Sequence, residues 1–176
     1  MKVKIKPTWI GIFLLISVEQ IIKIIIYNNF FDKSFAILPP VLYFEPMFNR
    51  HYSWFNSMLK INNSKGLHIA VVVVMTILIV LFYRFLNKRM GSVKIINMMF
   101  TFLFSGAMCS LIDKVFWDGS LDYIMLKGFF TFDLKDLYID VFIGLMVLSL
   151  FIKNDAVKQI DEKALLKDFV RYLRKK

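Results

Sequence analysis

Four long apolar runs dominate the chain, Trp9 to Tyr27, Leu67 to Leu86, Lys94 to Ile112 and Leu137 to Ile152, with polar segments between them. Each approaches the ~20 residues that a helix needs to cross ~30 Å of hydrocarbon, the fourth being the shortest. A lipid-exposed segment must satisfy its own backbone, so the runs predict helices. The expected architecture is an all-α membrane protein of four transmembrane helices, spanning about 9–27, 67–86, 94–112 and 137–152. A small extracytoplasmic β/loop subdomain is drawn from 28–66 and 113–136, and 153–176 forms a cytoplasmic amphipathic tail. No repeat or flexible linker divides 1–152, which reads as one membrane domain.

Between the runs the pattern shortens. Phe35 to Phe44 is rich in β-branched and aromatic residues and is interrupted by Pro39-Pro40, which suits an edge strand or an extended loop. Asn49 to Leu59 predicts a short interfacial helix with Tyr52, Trp54 and Phe55 at headgroup level. From about Asp155 to Arg174 the apolar residues Leu165, Leu166, Phe169, Val170 and Leu173 share one helical face and lysines the other, as in a helix lying on the inner leaflet.

Composition fits this reading: 58% of residues are hydrophobic and mean hydropathy is +0.60, too apolar for a soluble chain of 176 residues. Charge sets the orientation. Lys2, Lys4 and Lys6, then Lys88, Arg89 and Lys94, then the basic tail belong on the cytoplasmic side, whereas charges in 28–66 and 113–136 roughly cancel. The net charge of +10 is thus a matter of topology and attraction to anionic lipid. Nucleic acid is not an expected partner, because no basic groove-reading element is visible. Glu19-Gln20 interrupts where a leader's cleavage site would follow, so the first run is expected to stay as an anchor. Cys109 is single, and His51 and His68 are isolated, so neither an internal disulfide nor a metal site is expected.

Two aspartates carry the chemistry. Asp113 and Asp136 each stand where an apolar run meets the same outer loop. A carboxylate near hydrocarbon costs several kcal/mol unless paired, hydrated or protonated, which marks such positions as functional. Ser105, Gly106, Ala107 and Ser110 allow a neighbour to approach the third run closely. The third and fourth runs are consecutive and joined outside, so antiparallel packing would bring their outer ends, and both carboxylates, to one level.

The motifs around them resemble the lipoprotein signal peptidases (signal peptidase II). Ser105 through Lys114 is similar to that family's Gly-Gly-Ala-x-Gly-Asn-x-x-Asp-Arg at Gly106, Ala107 and Asp113. Leu121-Asp122-Tyr123-Ile124 looks like its Val-Asp-Phe-Ile, and Phe132, Asp136 and Ile139 match its Phe-Asn-x-Ala-Asp-x-x-Ile. Glu19-Gln20-Ile21-Ile22-Lys23 is similar to Asp-Gln-x-x-Lys, and Asn49 stands for the Asn of Asn-x-Gly-Ala-Ala-Phe. The departures are Cys109-Ser110 for Gly-Asn, Lys114 for Arg, Asp133 for Asn, Lys135 for Ala, and the missing Gly-Ala-Ala. The resemblance is to a divergent member.

That resemblance implies an aspartic endopeptidase with Asp113 and Asp136 as its catalytic pair. It would need no cofactor and would remove the signal peptide of diacylglyceryl-modified prolipoproteins just before the lipidated cysteine. Its partners would be those precursors and membrane lipids, and a monomer is expected. Two carboxyls sharing a site would keep one proton between them, and the pair titrates as a unit. Among supporting residues, Asn49 either bonds substrate or caps a loop, and Ser110 either orients the pair or packs. Lys114 either contacts a lipid or substrate carbonyl or snorkels. Asp133 suits an N-cap, Asp140 should face the bundle interior, and Glu19 with Lys23, at i and i+4, suits a structural ion pair. Two other classes stay open, a catalytically silent relative that binds lipoproteins or lipids and an ion-coupled transporter. The transporter is disfavoured by carboxylates at the rim and the absence of a repeat.

Overall fold

The computed structural model describes residues 7–50, 65–91, 93–117, 119–151 and 162–174. In chain order the elements are α1 (Pro7–Asn29), β1 (Phe35–Leu38), β2 (Leu42–Asn49), α2 (Lys65–Met90), α3 (Lys94–Phe116), β3 (Ser120–Leu126), β4 (Phe130–Phe132), α4 (Leu134–Phe151) and α5 (Glu162–Arg174). The protein is mostly helical with one small antiparallel sheet. Three of the helices described, α1, α2 and α3, are long and apolar enough to cross a membrane. The fourth run forms α4, whose 18 residues include Lys135, Asp136 and Asp140.

The distribution of polarity is that of a protein solvated by lipid. Phe13 is 70% exposed and Ile21, Val74 and Met146 are also on the surface, while Lys23, Glu19, Asp113 and Asp133 have no exposure at all. In water this arrangement would be doubly unfavourable; in hydrocarbon it is the one that satisfies both kinds of group.

Helix α3 is the hub, packing against α1, α2 and α4. Its approach to α4 depends on Gly106: a Cβ there would lie 2.6 Å from Ile139 Cδ1 and 3.3 Å from the Lys135 carbonyl oxygen. A side chain at 106 would therefore push the two helices apart just where the acidic residues gather. At the other end, Tyr83 of α2 donates to Asn97 Oδ1 of α3 at 2.8 Å.

The sheet runs β1-β2-β3-β4 with every pair antiparallel. It lies over the end of α1, where Ile26, Leu121 and Tyr123 form a small core with Phe31, Phe48 and Trp117. Pairing of β2 with β3 changes register between Phe44 and Met47, so Glu45 and Pro46 together face one residue of β3. A bulge tolerates the proline, which has no amide proton to give the ladder.

Several elements differ from the sequence reading. The third helix does not stop at Ile112 but continues through Asp113 and Lys114 to Phe116, closed by the Trp117 amide on the Asp113 carbonyl at 3.1 Å. Asn49 ends a strand, because Phe48 and Asn49 pair with Leu121 and Ser120. The expected interfacial helix from His51 on, with Tyr52, Trp54 and Phe55, lies outside the described residues, as do Lys2, Lys4, Lys6 and 152–161. Helix α5 is amphipathic as expected, yet its apolar side packs on protein: Leu165, Phe169 and Tyr172 lie against the cluster of Phe85, Leu86, Ile96 and Phe100. Leu166 and Val170 remain exposed on its other flank.

Candidate active site

Five elements deliver polar side chains to one place. The β2–β3 ladder sets Asn49 opposite Ser120, and Asn49 Nδ2 donates to Asp122 Oδ2 at 3.1 Å. This close crossing needs Gly119, whose φ is +115° and whose hypothetical Cβ would sit 2.7 Å from the Asn49 carbonyl oxygen. Ser120 and Asp122, two apart on a strand, point the same way. Helix α4 begins with a reciprocal cap: the Asp136 amide donates to Asp133 Oδ1 at 3.3 Å and the Asp133 amide to Asp136 Oδ2 at 3.2 Å. Two orphan donors are satisfied, and both carboxylates meet the positive end of the helix dipole.

Helices α1 and α3 complete the cluster from behind. Lys23 Nζ lies 3.0 Å from Glu19 Oε1, 2.6 Å from Asp113 Oδ2 and 2.7 Å from Asp133 Oδ2. Its three protons have three carboxylate partners, so the expected Glu19–Lys23 pair is one edge of a larger network. Lys135 Nζ bonds Asp133 Oδ2, donates to Ser120 Oγ at 2.6 Å and stands 3.3 Å from Asp113 Oδ2 and 3.6 Å from Asp122 Oδ1. Ser120 accepts from Lys135 and has a single proton of its own, best directed to Asp122 Oδ1 at 2.7 Å. Glu19, Asp113, Asp122, Asp133 and Asp136 outnumber the contacting ammoniums of Lys23 and Lys135. Full ionisation of such a cluster away from water is prohibitive, so it retains protons.

Outside the helices the individual tendencies are clear. Burial pushes the Asp122 carboxyl above the ordinary carboxylate range and Asp133 adds to this, against Lys135 and the hydrogen bonds from Ser120 and Asn49. Burial acts on Asp133 too, but Lys135 and Lys23 outweigh it and hold that carboxyl well below the usual range. The Tyr123 hydroxyl is pushed up by burial and by Glu19 and Asp133. It donates to Glu19 Oε2 at 3.5 Å and accepts from the Leu134 amide at 3.2 Å.

A cavity of about 550 Å³ opens onto this cluster, with Asp122, Asp136, Lys135, Asn49, Ser110, Lys114 and Asp140 in its wall. A smaller one of about 200 Å³ shares Ser110, Lys135 and Asp136 and continues between α2, α3 and α4 past Val72, Met75 and Gly106. Asp122, Asp133 and Asp136 each offer an oxygen within 4.8 Å of the others. The spacing suits a cation, and the Lys135 ammonium is already against two of them.

The expected site residues are therefore distributed unevenly. Asp136, Asn49, Ser110 and Lys114 line the cavity, Lys114 being tied to Ser110 Oγ at 2.7 Å. Lys23 and Asp133 are enclosed in the ion network. Asp113 is also enclosed, with no exposure, and its Oδ1 has no hydrogen-bond partner among the described residues. Asp122 and Asp140 share the cavity with Asp136, and of these two it is Asp122 that offers an oxygen within 4.8 Å of an Asp136 oxygen. The sequence reading gave no site role to Asp122, Ser120 or Lys135, naming Asp122 within the Leu121-Asp122-Tyr123-Ile124 match and Lys135 as a departure from the motif. The available signal was a strand-like stretch, Ser120 to Tyr123, with two polar residues at a spacing of two, and a lysine immediately before Asp136.

The sequence matches the family model described as "Signal peptidase (SPase) II" over residues 11–152. Two solved structures share the fold. One, titled "Bacterial membrane enzyme structure by the in meso method at 2.3 A resolution", gives a TM-score of 0.71 at 18% identity, over 90% of this chain and 94% of its own. The other, with the same title at 1.9 A resolution, gives 0.63 at 19%, over 84% and 93%. No curated protein matches the chain.

Proposed function

Because the chain belongs to the signal peptidase II family, we propose that it is an intramembrane aspartic endopeptidase acting on diacylglyceryl-modified prolipoproteins, cutting before the lipidated cysteine. One observation supports the chemistry: Asp122 and Asp136 present oxygens within 4.8 Å of each other on the wall of one cavity. Two carboxyls so close share a proton. The ionised one takes a proton from a water molecule as that water attacks the scissile carbonyl. The protonated one donates to the carbonyl oxygen, and collapse of the tetrahedral intermediate breaks the C–N bond with return of a proton to the leaving amine. No cofactor enters these steps.

Asp122 takes the role that the sequence motif suggested for Asp113. Asp113 works from behind, neutralising Lys23 and Lys135 and so fixing Asp133 at the head of α4. Asn49 orients Asp122, and Lys114, anchored on Ser110, supplies a positive charge at the cavity rim. In the bilayer α4 is the fourth span, both termini lie in the cytoplasm, and the acidic cluster sits near the outer leaflet of the bacterial cytoplasmic membrane. The chain acts as a monomer, residues 1–152 being the membrane domain and 153–176 its cytoplasmic tail.

The test is cleavage of a lipidated precursor in detergent. Asp122→Asn and Asp136→Asn should each lower turnover by about 10²–10⁴ with the protein still folded, while Asp113→Asn should lower stability more than turnover. Full turnover in Asp122→Asn combined with loss in Asp113→Asn would return the pairing to Asp113. A silent relative that binds precursors without cutting is the second reading. It draws on the Lys135 ammonium standing among the carboxylates, and retained binding with no cleavage across several precursors would favour it.

A further inference from the structure

Phe132-Asp133-Leu134-Lys135-Asp136 departs from the family's Phe-Asn-x-Ala-Asp at two positions, and the two departures carry opposite charge. Their side chains meet: Lys135 Nζ bonds Asp133 Oδ2, and both residues are buried. A lysine in so enclosed a place needs a carboxylate in contact, and the acid it bonds is the other departure, Asp133. Introduced together with an acid, it changes no net charge. The pair nevertheless changes the field, because Nζ ends 3.6 Å from Asp122 Oδ1.

We propose that Asp133 and Lys135 are one coupled insertion that holds a cation against Asp122, making Asp122 the ionised, water-activating carboxyl and leaving the shared proton on Asp136. The inference rests on the peptidase reading and the pair assigned there. Lys135 is a positioning residue. Its ammonium bonds Asp133 and Ser120 and stands 3.3 Å from Asp113 Oδ2, so it acts through its field at Asp122 and not on substrate. The groups around Asp122 are Lys135 and Asp136 on α4, Asp133 at its head, the neutral Asn49 on β2, Asp113 and Lys114 on α3, and Glu19 and Lys23 on α1. Among those acting on Asp122, Lys135 is the largest influence opposing burial, and it exceeds the adverse one of Asp133.

The decisive measurement is the acid limb of the kcat/KM profile, which follows ionisation of the base. A parallel infrared titration of the Asp122 carboxyl, taken as the difference from Asp122→Asn, needs no turnover. Lys135→Met should move both upward by about one pH unit, the usual effect of losing an opposite charge within a few ångströms. Asp133→Asn, isosteric and still able to cap, should move both downward, and the double variant Asp133→Asn/Lys135→Ala should return close to the start. Unmoved midpoints, or single variants moving in the same direction, would overturn the coupling. If Lys135→Met fails to fold, the sign seen in Asp133→Asn decides alone. Absence of cleavage by the unsubstituted protein would defeat the peptidase reading, while the infrared titration would still decide where the charge resides.

Discussion

Lys23 on α1 and Asp133 at the head of α4 meet with Nζ and Oδ2 2.7 Å apart, both without exposure. The contact joins the first and last apolar helices of the bundle through a single ammonium that also holds Glu19 and Asp113. Its worth lies in what its loss would strand: three enclosed carboxylates deprived of their common cation.

Lys23→Met should therefore cost about 3–5 kcal/mol, the penalty for breaking a buried pair from one side. Reversible unfolding in mixed micelles would report it. A change below about 0.5 kcal/mol would mean that the cluster reorganises around Lys135.

Stability should depend on pH with opposite signs at two aspartates. Asp133, held below its ordinary value of 3.8, stabilises the fold in its ionised form; that contribution is complete above pH 3.8 and fades as the pH falls through the lower folded value. Asp122, pushed above 3.8, contributes fully below that pH and loses the contribution as the pH rises through its folded value. In thermal melts, Asp133→Asn should flatten the decline on the acid side and Asp122→Asn the decline above it. Curves parallel to the parent's would contradict both.

Gly106→Val should separate α3 from α4, since the added Cβ meets Ile139 Cδ1 at 2.6 Å. Overpacking of this kind costs about 1–3 kcal/mol. Because Lys135 and Asp136 ride on α4 beside the contact, precursor cleavage should fall as well. Ile139→Ala in the Gly106→Val background should restore part of both, and no recovery would place the damage elsewhere.

At the far end of the bundle, Phe169→Ala should lower stability by about 2–4 kcal/mol while leaving kcat unchanged. Its ring lies 5.1 Å from that of Phe82 and 5.5 Å from that of Phe85, remote from the acidic residues. Arg89→Ala, by contrast, breaks only a half-exposed 2.7 Å bridge to Asp168 and should cost less than about 1 kcal/mol. A large effect of Phe169→Ala on kcat would show that the two ends communicate.

The helices were legible because apolar length is a local property, counted along the chain without knowing partners. The place of Asp113, expected at a helix end, differs for a related reason. A charged residue after an apolar run looks like a helix end, yet here α3 continues to Phe116 and its last turns carry Asp113 inward to Lys23. Asp122 was hidden by distance in sequence: its partner Asn49 is 73 positions away, and only β2–β3 pairing brings them together. Lys135 was visible as a departure from the motif, but its meaning depends on the three-dimensional convergence of Asp113, Asp122 and Asp133.

The irregularity at Glu45-Pro46 carries a final consequence. Had β2 and β3 kept the pairing of Phe44 with Ile124 without interruption, Asn49 would fall opposite Gly119 instead of Ser120. Counting by twos along a strand, that single step would send its amide out of the opposite surface. One surplus residue thus works as a parity switch, deciding whether Asp122 has Asn49 as a hydrogen-bond donor beside Ser120. Removing Glu45 should leave the donor in place by making the ladder regular, while replacing Pro46 with a residue that can join the ladder should permit the slip that loses it.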